Sequence, residues 1–186
     1  GRSRDRNRDF FRDGGTDEGE TVLDVVTVVT RCIEYLHGKR LVLCDLTTRS
    51  FGRVGGRFVL TDLSGAHKEG ELMDVERKCV RELTAPEVFD AVQRDALAML
   101  SATASLDIFM LGLLLYEALI GKPLFETYKD AQRACLSGSE LEIDFLGYKD
   151  YVGKYCVTNM LRRVPIDRFT IRDVIVNLSQ VRFIRG

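Results

Sequence analysis

The sequence has no tryptophan, only three prolines and only two histidines among its 186 residues. Its cysteines form no CxxC pair and have no metal-ligand spacing with the histidines, which excludes the common zinc motifs. They are Cys32, Cys44, Cys79, Cys135 and Cys156. An odd number without pairing favours reduced thiols in a protein core. The cysteine pattern therefore favours a cytoplasmic protein over one of the secretory pathway.

The chain also lacks an excess of either charge and a long uninterrupted apolar run. A formal net charge of −1 gives no reason to expect nucleic acid as a partner. The most apolar stretch, residues 105–120, is shorter than the roughly 20 residues of a membrane span and contains Asp107 and Glu117. We therefore predict a helix buried in a protein core, and no membrane span.

Residues 1–20 differ in composition from the remainder. They mix arginine with acidic residues and glycine, and only Phe10 and Phe11 offer large apolar side chains. Such a stretch gains too little from burial to offset the entropy of ordering. The sequence thus predicts a flexible linker over residues 1–20 and one domain over residues 21–186.

Helical patterns dominate that domain. Residues 21–37 place an apolar stripe on one helical face, and Pro86 and Glu87 are typical of a helix start. After the buried helix, further helices are predicted at about 127–136, 148–162 and 170–180. Thr170 and Asp173 have the spacing of a capping box in the last of these. The fold class is therefore mainly α (α+β), with a large helical core and every element after residue 85 helical.

Two short apolar runs, Leu41–Cys44 and Phe58–Thr61, predict strands that pair as a small hairpin-like unit. Each run is followed by an aspartate, Asp45 and Asp62. An aspartate after a strand either caps a turn or presents a carboxylate to a ligand, and the residues alone leave both interpretations open.

Five motifs occur in the order of the C-terminal lobe of eukaryotic protein kinases, which the chain from 21 to 182 resembles. They are YLHGKRLVLCDL, which contains the catalytic-loop Asp45; FVLTDLSGA, with Asp62-Leu63-Ser64 in place of Asp-Phe-Gly; TAPE, ending in Glu87; DIFMLG, with Phe109 in place of tryptophan; and PIDR, ending in Arg168. The resemblance implies a kinase-like lobe with short strands at its catalytic and metal loops.

The resemblance also implies roles for individual residues. Asp45 would be the catalytic base, or else a carboxylate that only hydrogen-bonds its loop. Ser50 and Asp62 would face the nucleotide, and Asp62 would bind the metal ion. ATP and Mg²⁺ would be the cofactors of an active protein, and an inactive one would need none. Three further residues are expected to be structural: Glu87 paired with Arg168, and Asp107 accepting backbone N–H groups of the catalytic loop.

Several departures from the family pattern weaken the catalytic interpretation. Cys44 replaces the arginine before the catalytic aspartate, and Thr47 stands where many kinases have lysine. Ser50 replaces the asparagine that binds a second metal ion, and Ser64 replaces the glycine after Asp-Phe, although Gly65 follows. No glycine-rich phosphate loop, strand lysine or partner glutamate occurs before residue 21, so the N-terminal β lobe is expected to be absent.

The sequence thus favours a pseudokinase that acts as a binding, scaffolding or regulatory module with a protein partner. One alternative is the C-terminal lobe of an active protein kinase acting on a protein substrate, since both aspartates are retained. Another is an atypical secretory-pathway kinase, in which a Cys44–Cys79 disulfide would fix the activation segment.

Overall fold

The computed structural model describes residues 22–46, 50–55, 57–75, 83–95 and 99–181, and helices make up about half of them. The helices are α1 (Val22–Gly38), α2 (Pro86–Arg94), α3 (Ala104–Ile120), α4 (Tyr128–Cys135), α5 (Tyr151–Met160) and α6 (Ile171–Leu178), with a short 3₁₀ helix at Pro165–Asp167. The strands are β1 (Leu41–Val42), β2 (Phe51–Val54), β3 (Arg57–Leu60), β4 (His67–Lys68), β5 (Leu72–Asp74) and β6 (Met99–Ser101). The predicted linker, residues 1–20, lies outside the described residues.

Helix α3 forms the centre of the core, as its sequence predicts. Every residue from Leu106 to Tyr116 is buried, which explains why the helix has no polar face. It ends at Gly121, whose φ of 81° is left-handed and whose N–H donates to the Glu117 carbonyl over 2.8 Å. Glycine adopts this conformation without steric penalty, so it is well suited to end the helix.

The other long helices pack around α3. Helices α1 and α5 contact it directly, and α6 packs against both of them. The stripe predicted on α1 is buried at Val26, Val29, Ile33 and Leu36. The predicted capping box on α6 is present, because the Thr170 hydroxyl accepts from the Asp173 N–H and the Asp173 carboxylate accepts from the Thr170 N–H.

The predicted pairing of Leu41–Cys44 with Phe58–Thr61 is wrong. Strand β3 pairs instead with β2, and the turn between them contains Gly55 with a left-handed φ of 58°. Strand β1 pairs with β4, which places Leu41 opposite Lys68. The two predicted strands therefore belong to two separate antiparallel pairs. Both aspartates still follow them, Asp45 after β1 and Asp62 after β3.

The prediction that the chain is helical throughout after residue 85 is also wrong. Strand β6 intervenes between α2 and α3 and pairs with β5, so that Met73 lies opposite Leu100. The buried Met73 side chain anchors this pair to the core. Among the described segments, no helix is long and apolar enough to span a membrane.

Candidate functional site

The loop that carries Asp45 is held by the buried carboxylate of Asp107, in the first turn of α3. Its two oxygens accept the N–H groups of Leu43 and Cys44 over 2.8 and 2.9 Å. His37 Nε2, at the end of α1, lies 2.9 Å from the same carboxylate. Cys44 has a left-handed φ of 60°, a conformation that costs a residue with a Cβ atom about 1–3 kcal/mol. Asp107 therefore stabilises a strained turn immediately before Asp45.

Gly65 brings the loop after Asp62 against the loop of Asp45. A Cβ atom on Gly65 would lie 3.1 Å from both the Cβ atom of Asp45 and the carbonyl oxygen of Leu43. A larger side chain would push the two loops apart. The small residue at position 65 thus keeps the segments of both aspartates in contact.

Ser50 links the same two loops through hydrogen bonds. Its hydroxyl donates to the main-chain carbonyl of Asp45 over 3.2 Å, and its own carbonyl accepts the N–H groups of Thr61 and Asp62 over 2.8 and 3.3 Å. The residue is only 5% exposed. Ser50 therefore positions the start of the Asp62 loop relative to the Asp45 backbone.

The Asp62 side chain is exposed and interacts with Ser64. Its Oδ1 atom accepts the Ser64 N–H over 2.8 Å. Hydrogen bonds from this N–H and then from the Ser64 hydroxyl hold the pKa of the Asp62 carboxyl below its usual value. Asp62 thus closes a turn, and the interpretation of its exposed carboxylate as a ligand stays a prediction.

These side chains do not fit the two-ion arrangement of protein kinases. That arrangement uses oxygen ligands from the metal-loop aspartate and the catalytic-loop asparagine. Asp62 offers an exposed carboxylate, but the Ser50 hydroxyl is buried and donates to a carbonyl. Within the described ranges, no three His, Cys, Asp or Glu side chains form a group that could hold a metal ion.

Glu87 and Arg168 form the ion pair that the sequence predicts. The guanidinium makes two parallel hydrogen bonds to the carboxylate, over 2.7 and 2.6 Å. The same guanidinium donates to the carbonyls of Ser105, Arg162 and Arg163. Its charge also lies 4.9 Å from the centre of the Phe109 ring, where it gains a cation–π contact. Arg168 thereby joins α2, α3 and the loop before α6.

A second ion pair, between α2 and the loop before α6, was missed by the sequence analysis. Arg163 reaches Asp90, one turn after Glu87, with its Nη2 atom 3.4 Å from Oδ2. It also donates to the carbonyl of Cys135 at the end of α4. The sequence does contain an indication of this contact, because Glu87 and Asp90 have i,i+3 spacing and therefore share one helical face. The sequence analysis also did not identify His37 as a hydrogen-bond partner of Asp107.

Two residues singled out in the sequence analysis, Thr47 and Cys79, lie outside the described residues. The Cys44–Cys79 disulfide therefore stays a prediction. Burial raises the pKa of the Cys135 and Cys156 thiols to about 12, so both stay protonated near neutral pH. This protonation leaves neither thiol available as a nucleophile, and both serve as apolar core residues.

Among solved structures, the chain is similar to a rhoptry kinase from Toxoplasma gondii. The TM-score is 0.69 with 20% sequence identity, and the match covers 86% of this chain and 45% of that one. The chain therefore spans less than half the length of that kinase. Neither a protein-family model nor a curated protein sequence matches the chain. The structural likeness establishes the fold alone, and the described residues have a protein-kinase-like fold.

Proposed function

We propose that this protein is a catalytically impaired, kinase-like domain that acts as a binding, scaffolding or regulatory module. The hydrogen bond from the Ser50 hydroxyl to the Asp45 carbonyl is the observation that carries this proposal. Phosphoryl transfer depends on positioned metal ions that neutralise phosphate charge. A buried serine that donates to the backbone is a poor substitute for an asparagine ligand.

Two further substitutions support the same function. Cys44 stands where active kinases carry an arginine that binds the activation-loop phosphate, and Thr47 stands at the position of the catalytic-loop lysine. The first change removes the charge that would bind an activation-loop phosphate, and the second removes a positive charge from the catalytic loop. A module of this kind acts through a protein partner. We propose a cytoplasmic location, because the spacing of the cysteines in the sequence shows no disulfide pattern.

The C-terminal lobe of an active protein kinase is the second candidate. Asp45 and Asp62 are both present, and Gly65 keeps their loops in contact. Loss of function during evolution commonly removes one of these carboxylates, so their joint retention favours activity. Such an enzyme would use ATP and a divalent cation on a protein substrate, either in the cytoplasm or, as an atypical kinase, in the secretory pathway.

A phosphotransfer assay tests the proposed function. The purified protein is incubated with radiolabelled ATP, with Mg²⁺ or Mn²⁺, and with generic protein substrates. We expect no incorporation into the substrates or into the protein itself, because charge neutralisation and positioning supply most of this catalysis. Asp62→Asn is the matched control. Incorporation that disappears in this variant would overturn the proposed function in favour of the active kinase.

A further inference from the structure

The connection between α4 and α5 contains a stretch of backbone without hydrogen-bond partners. Exposure alternates along it with a period of two, which is typical of an extended chain: Leu141 and Ile143 pack against the core, and the acidic residues Glu140, Glu142 and Asp144 are exposed. Within the described part of the chain, the N–H groups of residues 141–145 and the carbonyls of residues 140–143 make no hydrogen bond. Residues 140–144 are therefore an open edge to which a strand can add, and we call them the acidic edge.

Contacts with the core hold both ends of the acidic edge in place. The Tyr116 hydroxyl, on α3, donates to the Asp144 carbonyl over 2.6 Å, and the centres of the Tyr116 and Phe145 rings lie 6.0 Å apart. At the other end, the Glu140 carboxylate accepts the Arg163 N–H over 3.2 Å. Because both ends are fixed, a strand that adds here bears little cost of ordering the edge.

A segment of complementary charge and spacing occurs in the same chain. We call residues 2–8 the arginine segment, because every second residue is an arginine: Arg2, Arg4, Arg6 and Arg8. In an extended chain these four side chains project to one side, and Asp5 projects to the other. The carboxylates of the acidic edge recur with the same period of two, and opposite charges that face each other across paired strands attract. The two segments therefore match in charge and in spacing.

The chain between the arginine segment and α1 is long enough for this contact. Residues 9–21 can span about 45 Å, whereas a domain of this size has a diameter of about 40 Å. Tethering also raises the effective concentration of the segment at the edge to the order of millimolar, so that a few weak contacts are sufficient.

We propose that the arginine segment binds along the acidic edge of its own chain. The arginine side chains lie beside Glu140, Glu142 and Asp144, and backbone hydrogen bonds join the two segments. A single exposed ion pair is weak, so the contact depends on several pairs and on the backbone bonds together. The bound segment covers the edge, and another protein can add a strand there only by displacing it. This inference goes beyond the proposed function, because it involves neither the two aspartate loops nor phosphate.

Hydrogen exchange of the full chain at low salt, followed by mass spectrometry of residues 141–145, tests the inference. The first variant combines Arg2→Gln, Arg4→Gln, Arg6→Gln and Arg8→Gln, which removes the charge but leaves the intrinsic exchange rates of the edge unchanged. We expect the edge to exchange about three- to tenfold more slowly in wild type than in this variant, the range that a few exposed ion pairs supply. High salt should abolish the difference. Exchange in α3 is the internal reference for global stability and should not change.

The second variant removes charge from the edge itself. Glu142→Gln, corrected for its own intrinsic rates, should accelerate exchange by about two- to fivefold. Glu126→Gln, at an exposed glutamate between α3 and α4, is the matched control and should exchange like wild type. A synthetic peptide of residues 1–9, added to the variant without arginines, should restore slow exchange. A peptide of the same composition with its four arginines adjacent should restore less, because its spacing no longer matches.

Three results would overturn the inference. The first is equal exchange of the edge in wild type and in the variant without arginines. The second is equal restoration by the two peptides, which would reduce the contact to attraction between charges without strand pairing. The third is slow exchange that grows with protein concentration, which would assign the edge to a second copy of the chain. No nucleotide is present, so the phosphotransfer assay succeeds or fails independently of this result.

Discussion

Arg168 is one of the side chains on which long-range polar contacts of the helical core converge. Its side chain is fully buried and its partner Glu87 is 17% exposed, so the pair lies in a region of low dielectric. Such a pair contributes little net stability relative to a well-packed apolar pair. Removing one partner is different, because the remaining charge is then buried without compensation.

We therefore expect Arg168→Ala to destabilise the protein by about 3–5 kcal/mol. For a domain of this size the melting temperature should fall by roughly 6–20 °C. Thermal unfolding followed by circular dichroism measures the change. Arg172→Ala, an exposed residue of α6, is the matched control and should change stability by less than about 0.5 kcal/mol. An Arg168→Ala variant that melts like this control would contradict the role assigned to the pair.

The buried thiols allow a second prediction at the residue scale. Burial raises the pKa of Cys135 and Cys156 to about 12, so neither forms a thiolate at pH 8 in the folded state. Alkylation of the native protein at pH 8 should leave both thiols unmodified, whereas unfolding in urea should expose them. Mass mapping of the labelled peptides provides the measurement. Rapid labelling of either cysteine without denaturant would show that its surroundings open easily.

The raised pKa values of these two thiols also predict how the free energy of unfolding changes at alkaline pH. The folded-state pKa lies above the unfolded value near 8.5–9, so the stabilising contribution of each protonated thiol is complete below about pH 8.5. It is lost as the pH rises toward 12, because the unfolded chain releases these protons first. Urea midpoints measured from pH 8 to pH 10.5 should fall, and Cys156→Ala should reduce the slope.

At the scale of the elements, the helices were predictable and the strand pairing was not. The apolar stripe of α1, Gly121 after α3 and the capping box of α6 are local signals, and each is realised in the structure. The strands are two to four residues long, too short to specify a partner by their own pattern. Their partners are instead determined by the turn at Gly55 and by the long-range contact of β1 with β4.

The contact between α3 and α5 depends on Gly112. A Cβ atom at this position would lie 2.8 Å from Leu161 Cδ2 and 2.9 Å from Met160 Cβ, and both neighbours are buried. Gly112→Ala should therefore destabilise the protein by about 1–3 kcal/mol, even though alanine is the better helix former. Urea denaturation measures the loss. Gly38→Ala is the matched control, because no atom lies within 4 Å of its added Cβ, and it should unfold like wild type.

At the scale of the whole molecule, the order of the motifs predicted which distant residues contact each other. The hydrogen bonds that position the two aspartate loops became apparent only in the structure. The sequence suggested that Glu87 meets Arg168 and that Asp107 binds the catalytic-loop backbone, and the structure shows both contacts. It did not suggest that Ser50 links the two aspartate loops through its hydroxyl and its carbonyl. These bonds depend on side-chain orientations that only the folded loops define, so residue spacing alone gives no indication of them.

The packing around α3 leads to a prediction about how the molecule opens. Its residues from Leu106 to Tyr116 are continuously buried against α1 and α5, so their amides should exchange with solvent only when the whole domain unfolds. The β2–β3 hairpin is a two-stranded sheet with an exposed Val54 at its turn, and it should open locally at lower free energy.

Hydrogen exchange followed by mass spectrometry should therefore show the slowest exchange in α3. Gly112→Ala should accelerate exchange in α3 by the factor that corresponds to its loss of stability, while hairpin exchange stays unchanged. Similar acceleration in both segments would mean that the hairpin also opens only by global unfolding.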